Sequence, residues 1–228
     1  MNKLLATMLT IGFAAAMVGT GTIAMFSDTE VSAGNTFTAA GPIDLTIDWD
    51  EYYNGEPIEH VDETSGPGPI FTLSDVKPGD YGEATISLHV YFGDAKVTMK
   101  VELKSNDDVS STEPELKAGD SEDNPDDLWD GELAQNIDVT IWWDADGDNE
   151  IDDGEKIIKE GKLNEVVGEY LLDADPTTTD IDPFKECETY YVGFSWSIPE
   201  SIPGGDINII QTDKCTFDIT FTAEQEVS

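Results

Sequence analysis

The sequence contains no arginine. Its 11 basic residues are all lysines, and 49 aspartates and glutamates stand against them, which gives a formal net charge of −38. Proteins bind nucleic acid by neutralising phosphates with lysine and arginine, so this charge balance excludes nucleic acid and anionic lipid headgroups as partners. The acidic surface indicates either simple solubility through self-repulsion or adaptation to high salt, where screening shortens to a few ångströms.

Histidine is nearly absent as well. The chain has only His60 and His89, and neither begins the H-E-x-x-H motif that supplies two zinc ligands from one helix. A G-x-S-x-G nucleophile motif and a Gly-rich phosphate loop are also missing from the sequence. Acidic residues are so abundant that a pair of carboxylates does not indicate a glycosidase. We therefore predict that the protein is not an enzyme.

The N-terminus carries the one long apolar run. Residues 4–23 follow a single positive charge, Lys3, and the small residues Thr22 and Ala24 flank Ile23 as in a signal-peptidase site. The first downstream charges are acidic and form no stop-transfer cluster, which favours cleavage after Ala24 over an uncleaved anchor. We predict a signal peptide over residues 1–24 and a secreted, extracellular or cell-surface protein. No stable membrane anchor is then expected after cleavage.

Cysteine is limited to Cys187 and Cys215. An even number of cysteines in an exported protein favours a disulfide over a metal site or a nucleophile, because the compartment is oxidising. Each of the two also lies near a predicted strand. We predict a disulfide between Cys187 and Cys215, with two free buried thiols as the alternative.

Alternation of apolar and polar residues predicts several strands. The patterns cover residues 43–49, 86–92, 97–103, 137–143, 190–198 and 217–223. Gly93 and Asp94 separate the second pattern from the third and predict a hairpin turn. Residues 71–76 are predicted to form a short strand and residues 163–172 a short helix. Many short strands with little helix predict an all-β fold, a sandwich or jelly roll with long acidic loops and one or two short helices.

Three lysines, Lys96, Lys100 and Lys104, recur along the predicted strand at residues 97–103. Lysines protect an exposed edge strand from pairing with other chains, and this is the simpler interpretation. The alternative is a basic stripe that receives the acidic face of another copy.

Residues 105–132 carry 11 acids against a single lysine, Lys117. They include few aliphatic side chains, and a strand pattern resumes directly after them. We predict a long acidic excursion from the sandwich that is mobile unless cations hold it.

Residues 144–155 fit the twelve-residue calcium loop, in which oxygens at alternate positions converge on one cation. The predicted Ca²⁺ ligands are the carboxylates of Asp144, Asp146, Asp148, Asp152 and Glu155 and the backbone carbonyl of Glu150. Position 6 is Asn149 instead of glycine, and asparagine tolerates the left-handed conformation better than most residues. Ile151, at position 8, is expected to pin the loop to the core. We predict a structural Ca²⁺ site on a β-scaffold; the alternative is an acidic turn that binds no metal.

Both ends of the chain resemble the TasA/camelysin family. The N-terminal segments are GTIAMFSDTE at 21–30, GNTFTA at 34–39 and IDL at 43–45. The C-terminal segments are YVGFSWSIP at 191–199 and FDITFTAEQ at 217–225. With the Asp-rich middle, the resemblance covers most of the chain. It implies a jelly-roll-like β-sandwich over residues 41–228 and a leader processed by a dedicated signal peptidase.

The resemblance also implies self-assembly. Family members polymerise into extracellular filaments, as biofilm-matrix fibres or archaeal bundling pili, by inserting the mature N-terminal segment as a donor strand into the next copy. Here that segment is residues 25–40, with Phe26, Val31 and Phe37 as its large apolar side chains and a hinge near residues 40–42. Val31 and Phe37 share one phase of its alternation, whereas Phe26 falls in the other. The alternative function is a monomeric calcium-dependent cell-surface or carbohydrate-binding module.

Overall fold

The computed structural model describes residues 27–32, 38–40, 43–58, 69–71, 73, 75–121 and 124–225. The predicted signal peptide and its cleavage site, Phe26, Phe37 and most of the predicted hinge lie outside the described residues. Within the predicted donor segment, residues 27–32 and 38–40 are described as strands.

Two antiparallel sheets form the fold. Sheet A contains β1 (Ser27–Ser32), β2 (Thr38–Ala40), β6 (Ala95–Asp108), β9 (Gly168–Leu171) and β11 (Asp213–Gln225). Sheet B contains β3 (Asp44–Tyr53), β4 (Glu56–Pro57), β5 (Tyr81–Tyr91), β7 (Asp138–Trp143), β8 (Ile157–Lys162) and β10 (Thr189–Ser197). The strand orders are β2-β1-β11-β6-β9 and β4-β3-β5-β10-β7-β8.

Helix is a minor component of the described residues. The two short α-helices are α1 (Glu113–Ala118) and α2 (Leu133–Asn136), and a 3₁₀ turn covers Ile207–Ile210. The predicted all-β sandwich with one or two short helices is therefore confirmed.

The core lies between the two sheets, where period-two alternation turns one face of each strand inward. On β5 the inward residues Ile86, Leu88 and Val90 have no exposed surface, and Met99 and Phe221 face them from sheet A, equally buried. Burying each such side chain contributes roughly 1.5–3 kcal/mol relative to leaving it exposed. The alternation read from the sequence thus identifies the inner faces correctly.

The predicted hairpin at Gly93 and Asp94 is wrong. β5 belongs to sheet B, where it pairs with β3 and β10, whereas β6 belongs to sheet A, where it pairs with β11 and β9. The turn between β5 and β6 is therefore a corner that crosses from one sheet to the other. Both strands still alternate because both turn one face to the same core.

Two further secondary-structure predictions are also wrong. The helix predicted at residues 163–172 is replaced by a turn and by β9, which pairs with β6 along residues 98–101. No strand is present among the described residues of the 71–76 segment. Residues 168–171 form a strand because they pair with β6, and this pairing overrides the helical pattern of the local sequence.

The same pairing removes the edge-strand explanation for Lys100, the one of the three lysines that lies within the stretch paired on both sides. Because β6 has β11 on one side and β9 on the other, it is an interior strand at residues 98–101. Lys100 and Lys104 each pair with Glu102 at 2.9 Å, and Lys104 also reaches Asp218 at 3.3 Å. These lysines therefore balance acids within sheet A.

Candidate metal centre

The predicted calcium loop connects β7 to β8 on sheet B. The Trp143 backbone N–H donates to the Lys156 carbonyl at 2.9 Å, which closes the base of the loop. The strand predicted before the loop is confirmed as β7. The loop folds against the outer surface of sheet B, since Thr85 of β5 and Tyr191 of β10 contact it.

Asp144 is the centre of the loop and is fully buried. Its Oδ1 accepts a hydrogen bond from the Gly147 backbone N–H at 2.8 Å. Its Oδ2 accepts from the Asn149 backbone N–H and from the Thr85 hydroxyl, each at 3.1 Å. The three donors are neutral, so the carboxylate is oriented by dipoles and not by a lysine partner.

The structure brings most of the predicted ligands together in two overlapping groups. Carboxylate oxygens of Asp144, Asp146 and Glu155 lie within 4.8 Å of one another, and so do those of Asp146, Asp148 and Asp152. Ca²⁺ binds oxygens at about 2.3–2.6 Å, so oxygens on opposite sides of one ion are about 5 Å apart. Each group therefore has the spacing of ligands around one hard cation, and Asp146 belongs to both groups.

Glu155 closes the loop from its far end. Its two carboxylate oxygens accept backbone hydrogen bonds from Ala145 at 2.6 Å and from Asp152 at 3.1 Å. Glu155 thereby joins the start of the loop to its end, as the twelfth residue of a calcium loop must. The contribution of the Glu150 carbonyl stays a prediction.

The backbone of the loop explains why asparagine is tolerated at its sixth position. Asn149 has a φ of 66°, the left-handed conformation that glycine usually supplies. Its side-chain Oδ1 is buried and has no hydrogen-bond donor. Gly147 also has a positive φ, and a Cβ there would lie 3.1 Å from the Tyr191 ring.

The expected anchoring role of Ile151 is wrong, because this side chain is 51 % exposed. The loop is held instead by the Thr85 hydrogen bond to Asp144 and by the close approach of Gly147 to Tyr191. The loop lies against the outer surface of sheet B, away from the core, which leaves Ile151 exposed.

The predicted disulfide is also wrong: both cysteines are free, with Cys187 exposed and Cys215 partly buried. Cys187 lies three residues beyond Phe184, which bridges Ala95 at the start of β6. Cys215 pairs with Asn106, far along the same strand. At about 3.3 Å per residue these two positions on β6 are roughly 36 Å apart, whereas a disulfide needs Cα atoms about 4.4–6.8 Å apart. Burial raises the pKa of the Cys215 thiol to about 12, which keeps it protonated.

A second group of carboxylates, which no sequence motif predicts, lies where the acidic excursion meets β11. Oxygens of Asp108, Glu115 and Asp120 lie within 4.8 Å of one another. Beside them, burial and then the neighbouring carboxylates Asp120 and Asp213 raise the pKa of Glu132 to about 7. Burial likewise raises the pKa of Asp213 to about 7. Sequence reasoning missed this group because its members come from separate segments.

Histidine takes no part in any group of three or more potential metal ligands in the described residues. His89 lies on β5, where its Nδ1 is 3.1 Å from the Thr189 hydroxyl and its ring stacks on Tyr91. Every such group consists of carboxylates alone, the donor set that hard cations such as Ca²⁺ prefer over zinc. Among the described residues the arrangement fits a hard cation such as Ca²⁺, and it offers no two-histidine zinc centre.

The fold and this centre define an all-β sandwich protein with a loop of converging carboxylates on the outside of one sheet. Over residues 1–228 the chain matches the family described as camelysin metallo-endopeptidase, and it belongs to that family. The resemblance to the TasA/camelysin family is thereby confirmed. Membership indicates a cell-surface or secreted protein of a structural kind. No individual curated protein matches the chain. Among the helices in the described ranges, none has the length and apolar character to cross a membrane.

Proposed function

We propose that the protein is a secreted structural subunit that polymerises into extracellular filaments, pilus-like or in a biofilm matrix, by passing β1 to another copy. One observation carries the proposal. β1, which lies in the predicted donor segment, pairs with β11 of its own chain from Ser27 opposite Glu224 to Ser32 opposite Ile219. The segment therefore has the capacity to be a strand, and β11 has the capacity to receive it.

The exchange requires no new contact. β11 has β6 on its other side, so without β1 its outer edge would present unpaired N–H and C=O groups over residues 219–224. Such an edge pairs readily with a strand from another chain. The β1 of a second copy would form the same ladder, as in domain swapping. β1 and β2 form one end of sheet A and lie near the predicted mature N-terminus, so they can leave together without breaking the pairing of β11, β6 and β9.

Complementary single-cysteine variants test the exchange. Thr29 and Thr222 are opposite each other in the ladder. Both variants carry Cys187→Ser and Cys215→Ala, one adds Thr29→Cys, and the other adds Thr222→Cys. The two are mixed under assembly conditions, oxidised, and resolved on a non-reducing gel. Since no single chain holds both introduced thiols, a covalent heterodimer reports pairing between copies.

We expect the heterodimer in the mixture and much less crosslinking when each variant is oxidised alone. Moving the second thiol to Glu160→Cys, on an exposed site of the other sheet, supplies the matched control. Deleting residues 25–39 should leave a folded monomer that forms no filaments by negative-stain microscopy. Filaments of normal length from the truncated chain would refute strand exchange.

Calcium is the second part of the proposal. We infer that residues 144–155 hold one structural Ca²⁺, supported by the converging carboxylates, the buried Asp144 and the left-handed Asn149. The ion would neutralise acids that otherwise repel one another on the outside of sheet B. Its role is therefore to stabilise the subunit.

Peptidase activity is the function that the family's name suggests, and we propose that this chain does not have it. A catalytic zinc site needs ligands such as histidine around an open coordination position. The whole sequence has two histidines, and the described one, His89, is engaged by Thr189 and Tyr91. Hydrolysis of casein that is abolished by a chelator and restored by zinc would contradict this.

A monomeric binding module remains the alternative, and one feature favours it. A cavity of about 780 Å³ is lined largely by apolar side chains, among them Phe71, Phe194, Trp196 and Phe217. Aromatic side chains of this kind form the walls of many small-molecule sites. A strictly monomeric protein at high concentration, with no heterodimer in the crosslinking assay, would support the module over the filament subunit.

A further inference from the structure

A group of five acids, two of them buried and three partly buried, lies at the end of sheet A, where the excursion returns to the sandwich. Asp108 ends β6, Glu115 lies in α1, Asp120 follows α1, and Asp213 begins β11. Glu132 precedes α2, and its backbone N–H donates to Asp213 Oδ2 at 2.6 Å. These five residues, which we call the excursion cluster, come from segments up to about a hundred positions apart.

The centre of the excursion cluster is removed from water. Glu115 has no exposed surface, and Asp108 is 3 % exposed. Glu115 accepts hydrogen bonds from the Thr212 hydroxyl at 3.0 Å and from the Thr112 backbone N–H. These donors are neutral, so they orient the carboxylate without balancing its charge.

Three oxygens in the excursion cluster have no donor at all. Asp120 Oδ2, Glu132 Oε2 and Asp213 Oδ1 are buried and accept no hydrogen bond. The carboxyl groups of Asp120 and Glu132 also contact each other. Buried oxygens of this kind cost about 1–3 kcal/mol each when nothing satisfies them, and more when charged. Two touching carboxylates need a shared proton or a shared cation.

Lysine does not supply the missing charge in the described part of the chain. Asp120, Glu132 and Asp213 form no ion pair there. Lys117 is the nearest lysine in the sequence, and it pairs with Glu113 at 2.7 Å with its side chain 72 % exposed. The charge is therefore compensated by a shared proton or by an external cation, and the close approach of the Asp108, Glu115 and Asp120 oxygens favours the cation.

We propose that the excursion cluster is a second site for a hard divalent cation of the Ca²⁺ type, distinct from residues 144–155. Oxygens of Asp108, Glu115 and Asp120 already lie within 4.8 Å of one another, the spacing of ligands around one such ion. Ca²⁺ suits the site better than Mg²⁺ because it accepts irregular sets of six to eight oxygens. The ion ties the acidic excursion to the first residue of β11.

Calorimetric titration of the full secreted chain with CaCl₂ tests the proposal. We expect two equivalents of Ca²⁺ for the wild type, and one each for Asp120→Asn with Asp213→Asn and for Asp144→Asn with Asp148→Asn. Asparagine keeps the oxygens that accept from Ser121 and Glu132, so local hydrogen bonds are retained. The control, Asp126→Asn with Glu160→Gln, removes two exposed charges outside both sites and should bind two equivalents.

Limited proteolysis provides a second readout that a purely structural role would not give. Calcium should slow cleavage within residues 105–132 at least 10-fold in the wild type and in the Asp144→Asn, Asp148→Asn variant. It should have no such effect in the Asp120→Asn, Asp213→Asn variant, whose cleavage in EDTA should be no faster than that of the wild type. Unchanged calcium stoichiometry in that variant, or faster cleavage in EDTA, would overturn the proposal.

Discussion

Replacing Asp144 by alanine or by asparagine separates its two roles in the loop. Three donors at 2.8, 3.1 and 3.1 Å depend on its carboxylate. Hydrogen bonds to a charged group contribute about 1.5–3 kcal/mol each when buried and less when water can replace the acceptor. Thr85 is buried, whereas the other two donors are half-exposed. We therefore expect Asp144→Ala to cost about 3–4 kcal/mol of unfolding free energy in EDTA.

Asp144→Asn should cost less than about 1 kcal/mol under the same conditions, because the amide oxygen still accepts and a repulsive charge near Asp146 and Glu155 is gone. Calcium changes the comparison. At a free concentration of one hundred times the dissociation constant, a bound ion stabilises the native state by about 2.7 kcal/mol. The wild type should gain this amount, and both Asp144 variants should gain almost none.

Urea unfolding followed by tryptophan fluorescence measures these free energies. Runs in EDTA give the cost of each substitution, and runs in CaCl₂ give the stabilisation that calcium adds to the wild type and to each variant. Asp153→Asn, at the exposed tenth position of the loop, is the matched control and should respond to calcium as the wild type does. The reasoning fails if Asp144→Asn keeps the full calcium response. It also fails if the alanine and asparagine variants are equally stable in EDTA.

Three other predictions concern the sandwich. Gly193→Ala should cost about 3 kcal/mol or more by urea unfolding, because a Cβ there would lie 2.1 Å from the Trp142 ring; a neutral result would contradict the packing. Asn106→Ala should cost about 2–4 kcal/mol in the same assay, because its buried side-chain oxygen accepts a hydrogen bond from the Ala134 backbone N–H at 2.9 Å and its side-chain nitrogen donates to Gln135 at 2.8 Å. Burial opposes ionisation of Asp80, but hydrogen bonds from Tyr53 and others outweigh it and lower its pKa below 3.8. Its stabilisation is therefore complete above that pH and lost as pH falls through the folded pKa, so melting of Asp80→Asn should depend less on pH below about 4 than that of the wild type.

Local patterns predicted the strands and the converging carboxylates of residues 144–155 because each is encoded in a contiguous segment. Alternation at residues 86–92 and 97–103 identified which side chains face the core. It did not identify partners, since a strand shows the same alternation whether the next strand pairs with it or crosses to the opposite sheet. For this reason the turn at Gly93 was wrongly predicted to be a hairpin within one sheet.

Local sequence patterns do not predict features that bring distant segments of the chain together. Cys187 and Cys215 each lie near a strand, but only the register of β6 with β11 shows that they are far apart. The excursion cluster joins Asp108 to Asp213, and no spacing rule connects them. By contrast, the left-handed Asn149 was predictable because its conformation depends on its own position in the loop.

The pairing of β1 with β11 has a consequence for when filaments can form. A strand tethered beside its own acceptor edge is present there at an effective concentration on the order of millimolar. Another copy must exceed that concentration, or offer an edge that is already open, before exchange is favoured. Assembly by this route would therefore be suppressed in dilute solution and would proceed by growth from existing filament ends.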